Sequence, residues 1–246
     1  MNDQAVARAA VLDTATLSDA LDRHGLNGQC YRIKPVATSS RMAGRAWTLL
    51  YGPAGSPAGT VGDYIEEVAP GSVVVLDNGG RDNATVWGDI LTEVASARGI
   101  AGTVIDGINR DVALALELNY PVYSRGHWMR TGKDRVQVEA TGVPVNIGDV
   151  RVCPGELVRG DADGEGVCPK EHEDKVLVRT AFHGPSVGLP LQLAQSSLGS
   201  GAPTPALSAG GDVVRQVLDL EGLLLRLELH DVADRDDADD VARLDD

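Results

Sequence analysis

Apolar positions fall along this chain in two rhythms, and the changes between them mark its elements. Residues 14 to 24, TATLSDALDRH, open on threonine, space their apolar side chains three and four apart and stop at Gly25, which predicts a helix with a glycine end. The alternating run RMAGRAWTLLYG then predicts a strand. A stretch of small residues, GPAGSPAGTVG, follows as a loop suited to lining a site, and DYIEEVAPG as a short helix.

From Ser72 the rhythm becomes regular. SVVVLD is a short buried strand, NGGRDNATV a loop, and WGDILTEVASARG an amphipathic helix closed by Gly99. The order then repeats with AGTVIDG as a strand, INR as a loop, DVALALELN as a helix and YPVYSRG as a third strand. Two consecutive strand-loop-helix units predict parallel strands joined by right-handed crossovers, with both loops at one edge of the sheet. Beyond Gly126 the pattern is all-β, alternating between Gly and Pro turns as far as Pro169, after which PKEHEDKVLVRTA starts a helix. From about Gly184 the composition is linker-like, and the chain ends in a leucine-rich helical block and an acidic tail expected to be disordered. The domain reading is one α/β domain over residues 1–180 and a divergent C-terminal extension over 181–246.

Composition sharpens this picture in three ways. Aromatic residues make up only 4% of the chain, so the core is expected to be Val, Leu, Ile and Ala. Thirty-six acidic against 22 basic side chains give a net charge of -14, which repels phosphate backbones and anionic lipid and argues against nucleic-acid or membrane partners. Cys30, Cys153 and Cys168 show no CxxC spacing, so buried inert thiols are expected rather than disulfides or zinc. With no signal-like N-terminus and no run of about 18 apolar residues, the reading is a soluble, cytoplasmic protein.

The candidate chemistry lies where the two units repeat. Gly88-Asp89 begins one helix and Arg110-Asp111 the next, so both pairs follow the carboxyl ends of adjacent parallel strands, where open α/β sheets bind ligands. The amides of Ile90 and Leu91, at a helix N-terminus, suit a carboxylate. Arg110 adds a bidentate clamp. Asp111 offers a hard oxygen to Mg²⁺ or Mn²⁺, ions that often take one or two protein carboxylates and complete their shell with water and substrate. Such an ion, chelated by an α-keto acid, acts as a Lewis acid when the adjacent carbon-carbon bond breaks, while Asp89 orders a water or moves the proton. An Asp at a helix start is also an ordinary N-cap, and spacing alone does not separate the two roles.

Other features carry less. DADGEG at 161–166 lacks the later ligands of a calcium loop and reads as a β-turn. Asn78-Gly79-Gly80 does not form a dinucleotide or methyl-donor loop, though Arg81 beside it is placed to touch a substrate. His24, His127, His172 and His183 show no ligand spacing, and Trp87 is read as core rather than pocket wall.

The stretch WGDILTEVASARGIAGTVIDGINRDVALALELNYPVYSRG resembles the signature of the family that contains the 4-hydroxy-4-methyl-2-oxoglutarate and 4-carboxy-4-hydroxy-2-oxoadipate aldolases and the regulator of ribonuclease activity A. TATLSDALD, APGSVVVLD and VPVNIGDVRVCPGELVRGDADG match in order, so the resemblance covers residues 10 to 178. It implies a swivelling β/β/α sandwich assembled as a homotrimer or homohexamer with sites at subunit interfaces. It also implies Mg²⁺ or Mn²⁺ on Asp111, pyruvate held by Arg110, and amides and a carboxylate from Gly88 to Leu91. The aldolases of this family add a glutamate from the neighbouring subunit after the segment matching PKEHEDKVL, but TAFHGPSVGLP here has no acidic residue, and neither Glu171 nor Glu173 is assigned that role.

The expected function is therefore a class II aldolase that cleaves a 4-hydroxy-2-oxo diacid to pyruvate, with oxaloacetate decarboxylation as related chemistry. One alternative is a non-catalytic regulator that binds an RNA-degrading enzyme. A menaquinone-type methyltransferase, a label attached to relatives of the family, lacks support from any visible methyl-donor loop.

Overall fold

Continuous runs of Val, Ile and Leu at the centre of the chain form strands buried on both faces, as a parallel sheet requires. β2 (Met42–Pro53), β3 (Ser72–Thr85), β4 (Gly102–Asn109) and β5 (Val122–His127) pair in parallel, in register from Arg45↔Ser72, Val73↔Gly102 and Thr103↔Val122. The connection from β3 to β4 is α3 (Asp89–Ala97) and that from β4 to β5 is α4 (Val112–Glu117). Glycine ends α3, with Gly99 at φ +69°. The two consecutive parallel units are thus present, with their strand-to-helix turns at one edge.

The computed structural model describes residues 3–180, which belong to a compact unit, Met1–Ser186. The extension expected from residue 181, and His183 with it, lie outside the described residues.

Antiparallel strands complete a mixed sheet. β1 (Lys34–Pro35) pairs with β5, β9 (Leu157–Asp161) with β2, and β10 (Gly164–Cys168) with β9. β6 (Val136–Thr141) borders the far half of β2, and β7 (Val145–Ile147) with β8 (Val150–Val152) forms a separate hairpin. Gln29 bridges Gly166 and the Cys30 amide donates to the Glu165 carbonyl, so the chain before β1 joins β10 and the two ends of the sheet meet. DADGEG is the turn of the β9–β10 hairpin, as expected.

Val73, Val75, Val104, Val158 and Val167 point inward from the sheet against Ile147 and Val152 of the hairpin. Burying such a side chain contributes about 1.5–3 kcal/mol. On the opposite face α1 (Gln4–Ala10), α2 (Thr14–Arg23) and α5 (Glu173–Thr180) cover Leu157 and Cys168. Cys30 and Cys168 are buried free thiols and Cys153 is a half-buried one.

Two expectations change, and one helix was not foreseen. The segment NGGRDNATV is a continuation of β3 rather than a loop: after Asp77↔Asp106 the register jumps to Arg81↔Gly107 and Thr85↔Ile108, so the extra residues bulge outward. Gly79 and Gly80, at φ +62° and +68°, make the bulge possible, and pairing with β4 on either side of it keeps the strand. α1 was not legible, being short and fixed by Asp3, whose side chain caps Ala5 and Val6 and pairs with Arg45 at 2.6 Å. The core is also more aromatic than composition implied, since Trp87 and four of the five tyrosines, Tyr51, Tyr64, Tyr120 and Tyr123, are buried.

Candidate functional site

The tails of β3 and β4 run side by side beyond the last register pair. Val86 and Arg110 amides donate to the Ile108 and Trp87 carbonyls, which brings Gly88 next to Arg110 and Asp111. Asp111 sits at φ 56°, ψ 41°, a left-handed conformation uncommon for a non-glycine residue, and its side chain makes no cap bond to its own helix. It turns instead to the other unit: Asp111 Oδ2 accepts the Asp89 amide at 3.1 Å and lies 3.0 Å from Arg110 Nε. The two halves expected from sequence are thus joined through one carboxylate oxygen.

Gly88 is required by that closeness rather than by its backbone angles, which are extended. A Cβ there would lie 2.7 Å from Asp111 Oδ2 and 3.1 Å from Arg110 Nε. Its carbonyl is held by the amide and hydroxyl of Thr92, the hydroxyl at 2.7 Å, and Thr92 Oγ1 in turn accepts the Trp87 indole N–H at 2.8 Å. Trp87, buried and stacked on Tyr120 at 6.0 Å, is core as expected and also anchors this turn. Sequence reading missed Thr92. A threonine four residues into the helix, on the face toward the preceding turn, was the available signal.

The amides at the start of α3 differ in availability. The Asp89 amide is taken by Asp111 and the Ile90 amide by Asp89 Oδ1 at 2.8 Å, so of the two amides proposed for a carboxylate, that of Leu91 has no hydrogen bond among the described residues. Arg110 Nη1 and Nη2 and Asp111 Oδ1 likewise have none. The side chains of Arg110 and Asp111 are each 36% exposed, so these groups face solvent.

Other candidates fall elsewhere. Arg81 donates to the Asn78 carbonyl at 2.8 Å inside its own bulge. Glu173 is buried and paired with Arg45, so it serves the packing of α5, and Glu171 is exposed.

Residues 14–167 match the family described as RraA-like, Aldolase/RraA. The chain belongs to this family. It is 34% identical, over 70% of its length and 80% of the relative's, to "Putative 4-hydroxy-4-methyl-2-oxoglutarate aldolase" of Halalkalibacterium halodurans. It is 37% identical to "Protein DlpA" of Legionella pneumophila over 68% of this chain, a match that spans just over a quarter (28%) of that relative. Among solved structures, that of Streptomyces coelicolor RraAS2, described as an unusual member of the RNase ES inhibitor RraA protein family, has a TM-score of 0.68, with 26% identity over 74% of this chain and 93% of the other. Relatives in the Aldolase/RraA family thus carry both an aldolase name and an inhibitor name, and the matched region contains every residue of the joined site. No helix among the described residues is long and apolar enough to cross a membrane.

Proposed function

We propose that this member of the Aldolase/RraA family is a divalent-metal-dependent lyase that cleaves a 4-hydroxy-2-oxo diacid to pyruvate and a second oxoacid, with oxaloacetate decarboxylation as related chemistry. The observation that carries the reading is Asp111 Oδ2, which accepts the Asp89 amide and is ion-paired with Arg110 Nε at 3.0 Å. This cluster sets a cation, two carboxylates and a free helix amide together at the carboxyl edge of a parallel sheet.

Among the described residues no three His, Cys, Asp or Glu side chains form a cage for a metal. A site with one protein carboxylate fits Mg²⁺ or Mn²⁺, whose shells retain water and substrate oxygens, and the open Oδ1 of Asp111 is the oxygen that would hold the ion. When bound, the ion supplies Lewis acidity at the α-keto acid.

The protein's own groups account for binding and proton movement. Arg110, through its free terminal nitrogens, pairs with the carboxylate of the pyruvoyl unit, and the Leu91 amide adds a second donor. Asp89, exposed and with one carboxylate oxygen free of its own helix, accepts the proton of the substrate hydroxyl as the C3–C4 bond breaks. The electron pair of that bond goes to the pyruvoyl unit, whose C3 then takes a proton to give pyruvate.

The homotrimer or homohexamer and the swivelling β/β/α architecture implied by the family resemblance are part of this proposal. A second reading, a non-catalytic protein that binds an RNA-degrading enzyme, is favoured by the description of the Streptomyces relative. Coupling purified protein to lactate dehydrogenase, with 4-hydroxy-4-methyl-2-oxoglutarate and oxaloacetate as substrates, separates the two. Pyruvate release that EDTA abolishes and Mg²⁺ restores is the expected result, and no release from a folded protein supports the binding reading.

A further inference from the structure

Between β5 and β6 the chain forms a strap, residues 127–132, pinned to both halves of the site. The Trp128 amide donates to the Asn109 carbonyl at 3.0 Å, immediately before Arg110. Two residues later the Arg130 carbonyl accepts the Thr85 amide at 3.0 Å and the Thr85 hydroxyl at 2.9 Å, and Thr131 bridges Thr85 in parallel. A Cβ on Gly132 would meet the Thr85 carbonyl at 2.3 Å, so the strap lies directly on the tail of β3. Thr85 uses one edge for the strap and its tail uses the other for β4, so the strap has to cross the ends of both strands to reach it. Those ends lead into Arg110 and Gly88.

The strap's side chains do not follow its backbone inward. His127, Trp128, Met129 and Arg130 are all exposed, Trp128 at 43% and Met129 at 79%. Two large apolar groups held in solvent on a tightly bonded backbone add nothing to the core and are available to a ligand. The Arg130 guanidinium has no hydrogen bond or ion pair among the described residues. In a chain of net charge -14, each carboxylate of a dianion needs a local cation, and Arg110 supplies one only.

We propose that the strap is the distal subsite for a dicarboxylic oxoacid: Arg130 pairs with the carboxylate remote from the reacting bond, while Trp128 and Met129 wall the carbon chain between. This rests on the lyase reading for its substrate class, but its binding test does not require turnover.

Pyruvate release is measured with Mg²⁺ on 4-hydroxy-4-methyl-2-oxoglutarate and on 4-hydroxy-2-oxopentanoate, which lacks the second carboxylate. Arg130→Gln is expected to raise KM for the diacid about tenfold, leave its kcat within about twofold, and leave kcat/KM for the monoacid unchanged. An unchanged preference for the diacid overturns the subsite. In parallel, tryptophan fluorescence is titrated with 2-oxoglutarate, a diacid that has no aldol bond to break. A saturable change that Trp128→Phe abolishes and Arg130→Gln moves to about tenfold higher concentration is expected. Such a change without pyruvate release keeps the subsite and defeats the lyase reading, whereas its absence overturns the subsite even in an active enzyme.

Discussion

Asp111 holds a left-handed backbone conformation while its side chain leaves its own helix to bond across the site, so strain and the proposed chemistry meet at one residue. The two separate experimentally. Asn tolerates this conformation nearly as well as any non-glycine residue but carries no charge, so Asp111→Asn is expected to unfold within about 1 kcal/mol of wild type while metal-dependent pyruvate release is lost. Urea unfolding and the coupled assay check both halves. Gly88→Ala is the complementary case: alanine accepts the extended backbone, but its Cβ presses Asp111 Oδ2 and Arg110 Nε apart. We expect kcat/KM to fall about tenfold to a hundredfold with little change in stability. The Gly-Asp and Arg-Asp pairs were legible because each opens a helix that the apolar spacing marks, downstream of a run of buried strand residues. The capture of the Ile90 amide by Asp89 was not, since it depends on a side-chain rotamer that no spacing specifies.

The elements around the site were read most accurately where periodicity alone decides them. α2 falls where the pattern placed it, ending at Arg23 just before Gly25 at φ +65°, and β4 lies on the expected run but continues through Ile108 and Asn109 of the expected loop. β3 beyond Asp77 was not legible because its turn-forming residues are genuine, and only pairing with β4 restores the strand past the bulge. The bonded chain from Trp87 through Thr92 to the Gly88 carbonyl was likewise hidden, because it joins a buried indole to a turn through a residue that sequence presents as one more helix position. Thr92→Val leaves the indole N–H buried without an acceptor, at a cost of about 1–3 kcal/mol, and frees the Gly88 turn. Thermal unfolding and kinetics are expected to show a lower Tm together with a reduced kcat for Thr92→Val, and near wild-type values for Thr92→Ser.

At the scale of the whole molecule, the closure of the sheet encloses a carboxyl group that sequence did not single out. Glu165 of β10 is buried, and neither of its oxygens has a hydrogen-bond partner among the described residues. The Cys30 thiol beside it is a weak donor that makes no bond of ordinary geometry. Burial, with Asp106 adding, pushes the Glu165 carboxyl up to about 7. Below the unfolded-chain value of about 4.3 the group is neutral in both states. As pH rises from there to about 7, the unfolded chain ionises first and stability falls; above about 7 the loss is complete and constant. Glu165→Gln is therefore expected to gain on wild type by about 3 kcal/mol in urea unfolding at pH 8 relative to the difference at pH 4. The same difference at both pH values contradicts this account. An alternating strand pattern cannot reveal such a group, because whether position 165 faces solvent or the interior depends on the closing bridge from Gln29 to Gly166.

The central claim is that the joined Asp89, Arg110 and Asp111 cluster activates the C3 position of a pyruvoyl unit. Exchange of the pyruvate methyl protons for deuterium, followed by proton NMR in D₂O with Mg²⁺, tests it without assuming which larger oxoacid is cleaved. The account predicts exchange that EDTA removes, that Mg²⁺ restores and that folded Asp111→Asn lacks. No exchange by the folded wild-type protein with Mg²⁺ or Mn²⁺, or exchange unaffected by Asp111→Asn, would contradict it.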